Sequence, residues 1–418
     1  MTLFIVDELH LLGSGNGVLE VITSRMRYMA TQLEKQIRIV GLATSVANYR
    51  SISEWIGASN NFSFNFHPNV RPVSLDIYIH GFDQGNKKAR IFSMEKYVYQ
   101  GIKQQSKGKP VIVFVSDRKQ ARITALNILT MTYSDNRPKQ FVTISEQEMD
   151  TFCQNIKEKN LKHVLSYGIA FIYEGMNEDE KALVLQLFEA GAYQVLICTY
   201  QLCWELTLSA YLVTIMDTQR YDGKEKRYID YTIPDMLQMM GHAAQPNQKE
   251  SAKCLVFCYS PKRDFYKKFL YEPYPVESSL NQYVIDHLNA EIVAKTIENK
   301  QDCVDWITWT FMYRRLTQNP NYYNLQEISG THINNYLSEL IENTVEELET
   351  SKCIAVEDEM ELVPLNLGII ASYYYITYST LDHFAKTLNM NSKMKQLIEI
   401  LSASTEFENV LIYLILDK

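Results

Sequence analysis

The sequence has no excess of positive charge. Its 41 lysines and arginines stand against 49 aspartates and glutamates, a net charge of −8. A global electrostatic footprint for nucleic acid is thereby excluded, and any such contact must be local. It has no apolar run long enough to cross a membrane as a helix, and no membrane partner is expected. It has no internal repeat and no low-complexity tract, which argues against a solenoid or a disordered linker. Its seven cysteines are scattered; Cys198/Cys203 and Cys254/Cys258 lack the spacing and the companion histidines of a zinc site. They sit mostly in apolar runs, so buried reduced thiols are expected.

What is present is ordinary in bulk: 46% apolar and 22% charged residues over 418 positions, enough for about three domains. The informative stretch is Leu3-Phe-Ile-Val-Asp-Glu-Leu-His10. Four apolar residues end abruptly in two acids and a histidine, as when a buried parallel strand delivers acids to the carboxyl edge of a sheet. There Asp7 can hold a magnesium ion, directly or through water. Glu8 can orient or deprotonate a water attacking a γ-phosphate, and His10 can report nucleotide state to a neighbouring domain. The plainer alternative is a strand end with polar residues in a turn. No Gly-x-x-x-x-Gly-Lys-Ser/Thr segment, which would carry the phosphates, occurs in the sequence. The start, Met1-Thr-Leu-Phe4, reads as a strand cut open, so the chain is expected to be a fragment with an exposed sheet edge and poor solubility.

The periodicity predicts an α/β chain. After a Gly-rich turn at Gly13–Gly17, a helix is expected over Val18–Thr31, a strand over Ile37–Ser45, a helix over Val46–Ile56 and a linker over Phe62–Pro72. A second domain then alternates strand and helix. Its strands are placed at Ser74–His80, Val111–Val115, Ile169–Tyr173, Gln194–Thr199, Val213–Asp217 and Lys253–Tyr259, with a polar insertion holding one helix over Ser134–Lys162. Helices are expected over Arg118–Thr130, Asn177–Gly191 and Ile233–Met240. This rhythm implies a mostly parallel sheet covered on both faces. From about Asp264 helices take over, at Leu280–Asn299, Gln301–Thr317 and Ile333–Ser351. A short hairpin over Ile354–Val363 turning on Asp358-Glu359 follows, and helices before a hairpin suggest a winged helix. Ile369–Leu416 is helical again.

The order of motifs resembles the superkiller-type DExH RNA helicases. It is most similar to the C-terminal cassette of the large two-cassette spliceosomal members. The residues that carry the resemblance are Asp7-Glu-Leu-His10, Asn65-Phe-His-Pro-Asn-Val-Arg-Pro72, Val113-Phe-Val-Ser-Asp-Arg-Lys-Gln120 and Gln238-Met-Met-Gly-His242. Later come Lys267-Lys-Phe-Leu-Tyr-Glu-Pro273, Asn289-Ala-Glu-Ile292, Thr310-Phe-Met-Tyr-Arg-Arg315 and Asn319-Pro-Asn-Tyr-Tyr-Asn-Leu325. The resemblance implies RecA-like parallel sheet domains, the first one truncated, followed by a winged helix and the start of a Sec63-like helical bundle. Residues 1–73 would be the end of the first RecA-like domain and 74–270 the second. Residues 271–368 would be the winged helix and 369–418 the bundle.

It also implies site residues. Asp7, Glu8 and His10 would form the acidic motif, with Asp7 on Mg2+. Thr44, in an altered Ala43-Thr-Ser45 form of the motif that links hydrolysis to domain movement, would approach RNA. So would Arg118, Lys119 and Thr199. Arg118, Lys119 and Arg122 open a helix after a strand, where phosphate is attracted; a solvated basic helix start is the alternative. Tyr173 reads as a stacking platform for a base or as a packed tyrosine. Gln238, Gly241, His242 and Gln245 would face the nucleotide.

Departures from the family pattern are concentrated in two motifs. In Thr199–Ala210 the expected Gly, Asn and Pro are Glu205, Thr207 and Ser209. In Gln238-Met-Met-Gly-His-Ala-Ala-Gln-Pro246 the two expected arginine fingers are His242 and Gln245. Such an arginine is worth about three to five decades in rate, and a histidine lacks the guanidinium fork. The resemblance therefore implies ATP and Mg2+ as family cofactors but weak or no hydrolysis here. The implied role is a nuclear scaffold for spliceosomal proteins and a catalytic helicase cassette, with small nuclear RNA as a further partner. The alternatives are an N-terminally truncated active RNA helicase and a winged-helix nucleic-acid binder using Arg314 and Arg315, whose place beside Trp309 and Tyr313 favours a structural surface.

Overall fold

The computed structural model describes residues 2–15, 17–32, 37–67, 70–223, 225–244, 251–325 and 329–407. The chain divides into two compact units, Met1–Phe66 with Gly223–Glu225 and Tyr274–Lys418, and His67–Asp222 with Lys226–Pro273.

In the first unit, β1 (Leu3–Val6) pairs in parallel with β2 (Arg38–Gly41), Leu3 opposite Arg38 and Val6 opposite Gly41. The helix Val18–Gln32 joins them. β2 is shorter than the predicted strand because Ala43–Ser45 leave the sheet and Val46 bridges Tyr274 instead. That commitment also delays the next helix, which runs Tyr49–Trp55 rather than starting at Val46.

The second unit holds a six-stranded, all-parallel sheet and a small hairpin. In chain order the strands are β3 (Leu75–Phe82), β4 (Val111–Val115), β5 (Ile169–Ile172), β6 (Val195–Thr199), β7 (Leu212–Met216), β8 (Gln219–Asp222), β9 (Arg227–Asp230) and β10 (Ala252–Tyr259). The sheet order is β3-β10-β7-β4-β6-β5, with β8 and β9 forming the separate antiparallel pair. Val111 sits opposite both Val195 and Leu212, so the apolar run of β4 lies mid-sheet. Continuous Val/Ile/Leu runs of this kind suit strands buried on both faces. Helices Lys87–Gln105, Arg118–Ser134, Glu178–Glu189, Ile233–Gly241 and Arg263–Tyr271 belong to the same unit. Their starts are set by side-chain caps: Asn86 accepts from the Lys88 and Ala89 amides, and Asp117 from that of Gln120. The insertion carries two helices, Glu146–Gln154 and Lys159–Leu165, where one was expected. A Ser145/Glu148 capping box opens the first. The Glu180 carboxylate, accepting from the Lys157 and Glu158 amides, sets the start of the second.

Among the described residues, the rest of the first unit is helical apart from one hairpin. The predicted 280–299 helix is confined to Val284–Val293, ended by Lys295 at φ 56°. The predicted 301–317 helix is split into Lys300–Thr308 and Phe311–Gln318. The break falls where the Thr310 hydroxyl accepts from the Tyr313 amide and caps the second piece. Of the apolar stripe Ile333, Leu337, Leu340, Ile341, Val345 and Leu348 that the period predicts, helix Gly330–Thr350 buries all but Leu340, which is half-buried. The hairpin β11 (Ile354–Glu357) and β12 (Glu361–Pro364) turns on Asp358 and Glu359, both at positive φ. Of the helical stretch expected over Ile369–Leu416, the described residues hold three α-helices, Asn366–Tyr374, Tyr378–Thr387 and Met394–Ser402, and residues 408–416 lie outside the described residues.

Polar groups tie the two ends of this unit together. The Glu20 carboxylate accepts from the Ser278 hydroxyl at 2.6 Å and the Met312 amide at 2.7 Å. Arg315 forks onto Glu277 at 2.9 and 2.6 Å, and Trp55 donates to the Trp309 carbonyl. Arg314 pairs with Glu54. The expected structural surface at Arg314–Arg315 is thus half interior, since Arg315 is buried.

Candidate functional site

β1 delivers Asp7 and Glu8 just past its carboxyl end. Glu8 adopts a left-handed backbone (φ 53°), and its amide donates to Asp7 Oδ1 at 2.8 Å. The turn brings the Glu8 carboxylate to 3.3 Å from His10 Nε2. His10 itself is only 3% exposed and packs edge-on against Tyr274. Burial lowers its pKa, with the Asp7 charge pulling the other way. Burial, and then the Asp7 charge, raise that of Glu8. The Thr44 amide donates to His10 Nδ1 at 3.4 Å, so the neutral ring carries its proton on Nε2, toward Glu8. Asp7, Glu8, His10 and Thr44 are therefore gathered at one edge. A groove of about 180 Å3 beside it is lined by Leu9, Thr44, Ser45, Tyr49, Phe64 and Asn65. Among the described residues no cluster of three or more acids, histidines or cysteines could hold a metal unaided. Magnesium commonly takes only one or two carboxylates and fills its shell with phosphate oxygens and water. The exposed Asp7 fits that use.

In the second unit, Arg118 and Lys119 are exposed in the first turn of the helix that follows β4. This is the end of a helix where an anion is favoured. Arg122, one turn on, is paired with Glu158 at 2.9 Å and donates to the Tyr173 hydroxyl at 2.9 Å. Tyr173 in turn donates to Glu158, so it is a packed tyrosine. Thr199 is fully buried, its hydroxyl donating to Glu174 at 2.5 Å. Glu205 is exposed and paired with Lys181 at 2.9 Å.

His242 is 6% exposed. Its Nδ1 lies 2.7 Å from the Leu208 carbonyl and its Nε2 2.9 Å from the Cys203 carbonyl. The Gln238 amide donates to the same Cys203 carbonyl at 3.2 Å. Both side chains thus stitch their helix to the loop after β6. Gly241 is exposed, and apart from its own helix and chain neighbours nothing lies within 4 Å of where a Cβ would stand. Gln245 lies outside the described residues.

Sequence reasoning missed the partners that hold these groups. Glu174 fixes Thr199, and two backbone carbonyls, which carry no sequence signal, fix His242. It also missed Asp217, buried past the end of β7 with Arg90 at 3.5 Å and Lys87 at 3.6 Å. An acid directly after an apolar strand was a signal that could have found it. All seven cysteines are buried and free, as expected.

Comparison with known proteins now bears on this arrangement. Residues 277–358 match the family model of a winged helix-turn-helix domain, and residues 364–412 that of the Sec63 Brl domain. The chain is 51% identical over 413 residues to the U5 small nuclear ribonucleoprotein 200 kDa helicase of Drosophila melanogaster, covering 99% of this chain. It is 52% identical over 413 residues to a DExH-box ATP-dependent RNA helicase of Arabidopsis thaliana, covering 98% of it. Against the activating signal cointegrator 1 complex subunit 3 of Bos taurus the identity is 44% over 412 residues, again 98% of this chain. In each case the chain spans only 19% of the relative's length. Half-identical to such helicases along nearly all of its own length, the chain belongs to the family of large DExH RNA helicases that includes the U5 small nuclear ribonucleoprotein helicase, and corresponds to about one fifth of such a protein.

Proposed function

We propose that the chain is a degenerate helicase cassette of the spliceosomal DExH type that does not hydrolyse ATP. It acts as a protein-interaction and regulatory scaffold in pre-mRNA splicing, in the nucleus. Its partners in this reading are spliceosomal proteins and a catalytic helicase cassette, with small nuclear RNA a minor contact. The four-domain division at about residues 73, 270 and 368 is part of the reading.

The observation that carries it is His242. Where the family resemblance places an arginine finger, this ring is buried with both nitrogens on backbone carbonyls. It offers no guanidinium fork to a transferring phosphate, a loss of about three to five decades in rate. Gln238 is turned onto the same loop. ATP with Mg2+, when bound in the family, supplies the phosphoryl group whose transfer drives domain movement. In this chain Asp7 would hold the metal and Glu8 the water.

A second reading, an ATP-dependent helicase that unwinds small nuclear RNA duplexes, is favoured by the exposed Asp7 and half-buried Glu8 held at the end of β1. Calorimetry with ATP and magnesium, followed by RNA-stimulated turnover, separates the two. It should be run on the chain and on a version extended upstream with a relative's Gly-Lys-Ser/Thr segment. The scaffold reading expects no turnover from either, and at most a weak gain from H242R with Q245R. Robust RNA-stimulated hydrolysis with His242 and Gln245 in place would replace it with the second reading.

A further inference from the structure

Within the first unit, three arginines from three separate helices gather around a single acid, apart from the nucleotide and RNA site residues described above. Arg27 comes from helix Val18–Gln32, Arg50 from helix Tyr49–Trp55 and Arg314 from helix Phe311–Gln318. The acid is Glu54, exposed one turn after Arg50 and paired with Arg314. The guanidinium of Arg27 lies over the Trp309 ring, 5.8 Å from its centroid, and Tyr28 meets the same ring edge-on at 5.4 Å. Arg27 Nε stands 3.8 Å from where a Gly57 Cβ would be, and the Gly57 amide donates to the Glu54 carbonyl at 3.1 Å. Arg27 is thus held against the turn that carries Glu54, yet it is Arg314 that has the carboxylate.

Among the described residues the Arg27 side chain has neither an ion pair nor a hydrogen bond, although it is half-buried. Burial lowers its pKa, and the Arg314 charge lowers it further. A charge drawn partly out of water is ordinarily paired, so an unanswered one beside a second cation asks for an anion. Arg50 is exposed, bonds to the Tyr49 hydroxyl at 3.3 Å and feels the charge of Glu54. Three guanidiniums against one carboxylate leave a local excess of two positive charges, in a chain whose net charge is −8. The rings of the patch serve the arginines: Trp309 lies under Arg27 and Tyr49 under Arg50. They do not form the row of open faces on which successive bases of single-stranded RNA stack.

We propose that this patch takes the phosphate of a phosphorylated serine or threonine presented by a partner peptide, with Arg27 as its anchor and Arg314 and Arg50 at its sides. Such a group carries about −1.5 to −2 charge at pH 7, which matches the local excess, whereas a carboxylate supplies half of it. Its oxygens accept two N–H bonds from one planar fork, and the Trp309 ring holds the Arg27 fork in place. An acidic chain repels a long polyanion but can seat one phosphate where its arginines cluster. Tyr28 and Met29, exposed beside Arg27, offer surface to the residues flanking the phosphate. The role of this contact rests on the scaffold reading; the binding does not, so it and the turnover measurement above fail separately.

The test uses the full 418-residue chain and a fluorescein-labelled Gly/Ser nonapeptide with a central phosphoserine, read by anisotropy. Its twins carry serine or glutamate at the centre. The phosphoserine peptide should bind at least about tenfold more tightly than the serine twin, with the glutamate twin between them. R27A should reduce that preference to under about threefold. R50A, at a fully exposed position, provides a second variant should R27A fold poorly, and it should weaken the phosphopeptide by several fold. Equal affinity for phosphoserine and serine, no binding of either up to about 1 mM, or a preference unchanged in both variants overturns the site. Displacement by inorganic phosphate at the same concentration as by unlabelled phosphopeptide identifies a free anion and overturns the peptide. Tighter binding of oligouridine than of phosphopeptide, lost in R27A, assigns the patch to RNA and overturns it likewise.

Discussion

β1 and β4 are built from the same kind of sequence, Leu-Phe-Ile-Val and Val-Ile-Val-Phe-Val, each leading to an acid-bearing turn. Their circumstances differ. No residue of β4 is more than 1% exposed, because β6 and β7 flank it and helices cover it. In β1, among the described residues, β2 is the sole strand neighbour; Leu3 is 48% and Ile5 56% exposed. Burial is therefore supplied by neighbours, and an apolar strand signals only that it wants them.

The largest expected effect tests the strong side of that contrast. Phe114→Ala should destabilise the second unit by about 3–5 kcal/mol, read as a drop in denaturant midpoint. A change below about 1 kcal/mol would show that β4 is less tightly packed than its burial indicates. Next comes the buried acid of the first unit. Burial raises the Glu20 pKa to about 7 against the pull of its Ser278, Met312 and Phe311 hydrogen bonds. The folded state therefore holds this proton more strongly than the unfolded chain, whose value is near 4.5. Stability from this group is complete below about pH 4.5 and is lost as pH rises through about 7, by about 3 kcal/mol. Glu20→Gln should remove that part of the pH dependence; identical unfolding curves for the two proteins at pH 4.5 and 7.5 would contradict it. The smallest effect sharpens the weak side. Ile5→Ala should change the midpoint by no more than about 0.5 kcal/mol, and a loss comparable to that of Phe114→Ala would erase the distinction between the strands.

How much was legible followed the same logic. Val111–Val115 was readable to the residue, since five apolar positions bounded by Pro110 and Ser116 fit little else. So was the Asp358-Glu359 turn, where both residues adopt positive φ between apolar arms. The hairpin Gln219–Asp222 with Arg227–Asp230 was missed, because it is polar and half exposed and so shows no clean alternation. The break at Trp309-Thr310 was missed because threonine sits as readily inside a weak helical pattern as at a cap. At the candidate site, residue types were legible and orientations were not. Nothing in Gly-His-Ala says that the ring turns inward onto two carbonyls. Nor does Thr199 announce that Glu174 holds its hydroxyl.

The bond between Glu20 and residues 258 and 292 positions further on sets a timetable as well as a geometry. At synthesis rates of about 5–20 residues per second, Ser278 leaves the ribosome roughly 13–50 s after Glu20. During that interval the whole stretch up to Pro273, including the six-stranded sheet, is made and free to fold. Helix Val18–Gln32 meanwhile lacks the Ser278 and Met312 donors for its Glu20 carboxylate. Helix Val18–Gln32 meets these two partners late, and a chaperone would have that interval in which to hold it.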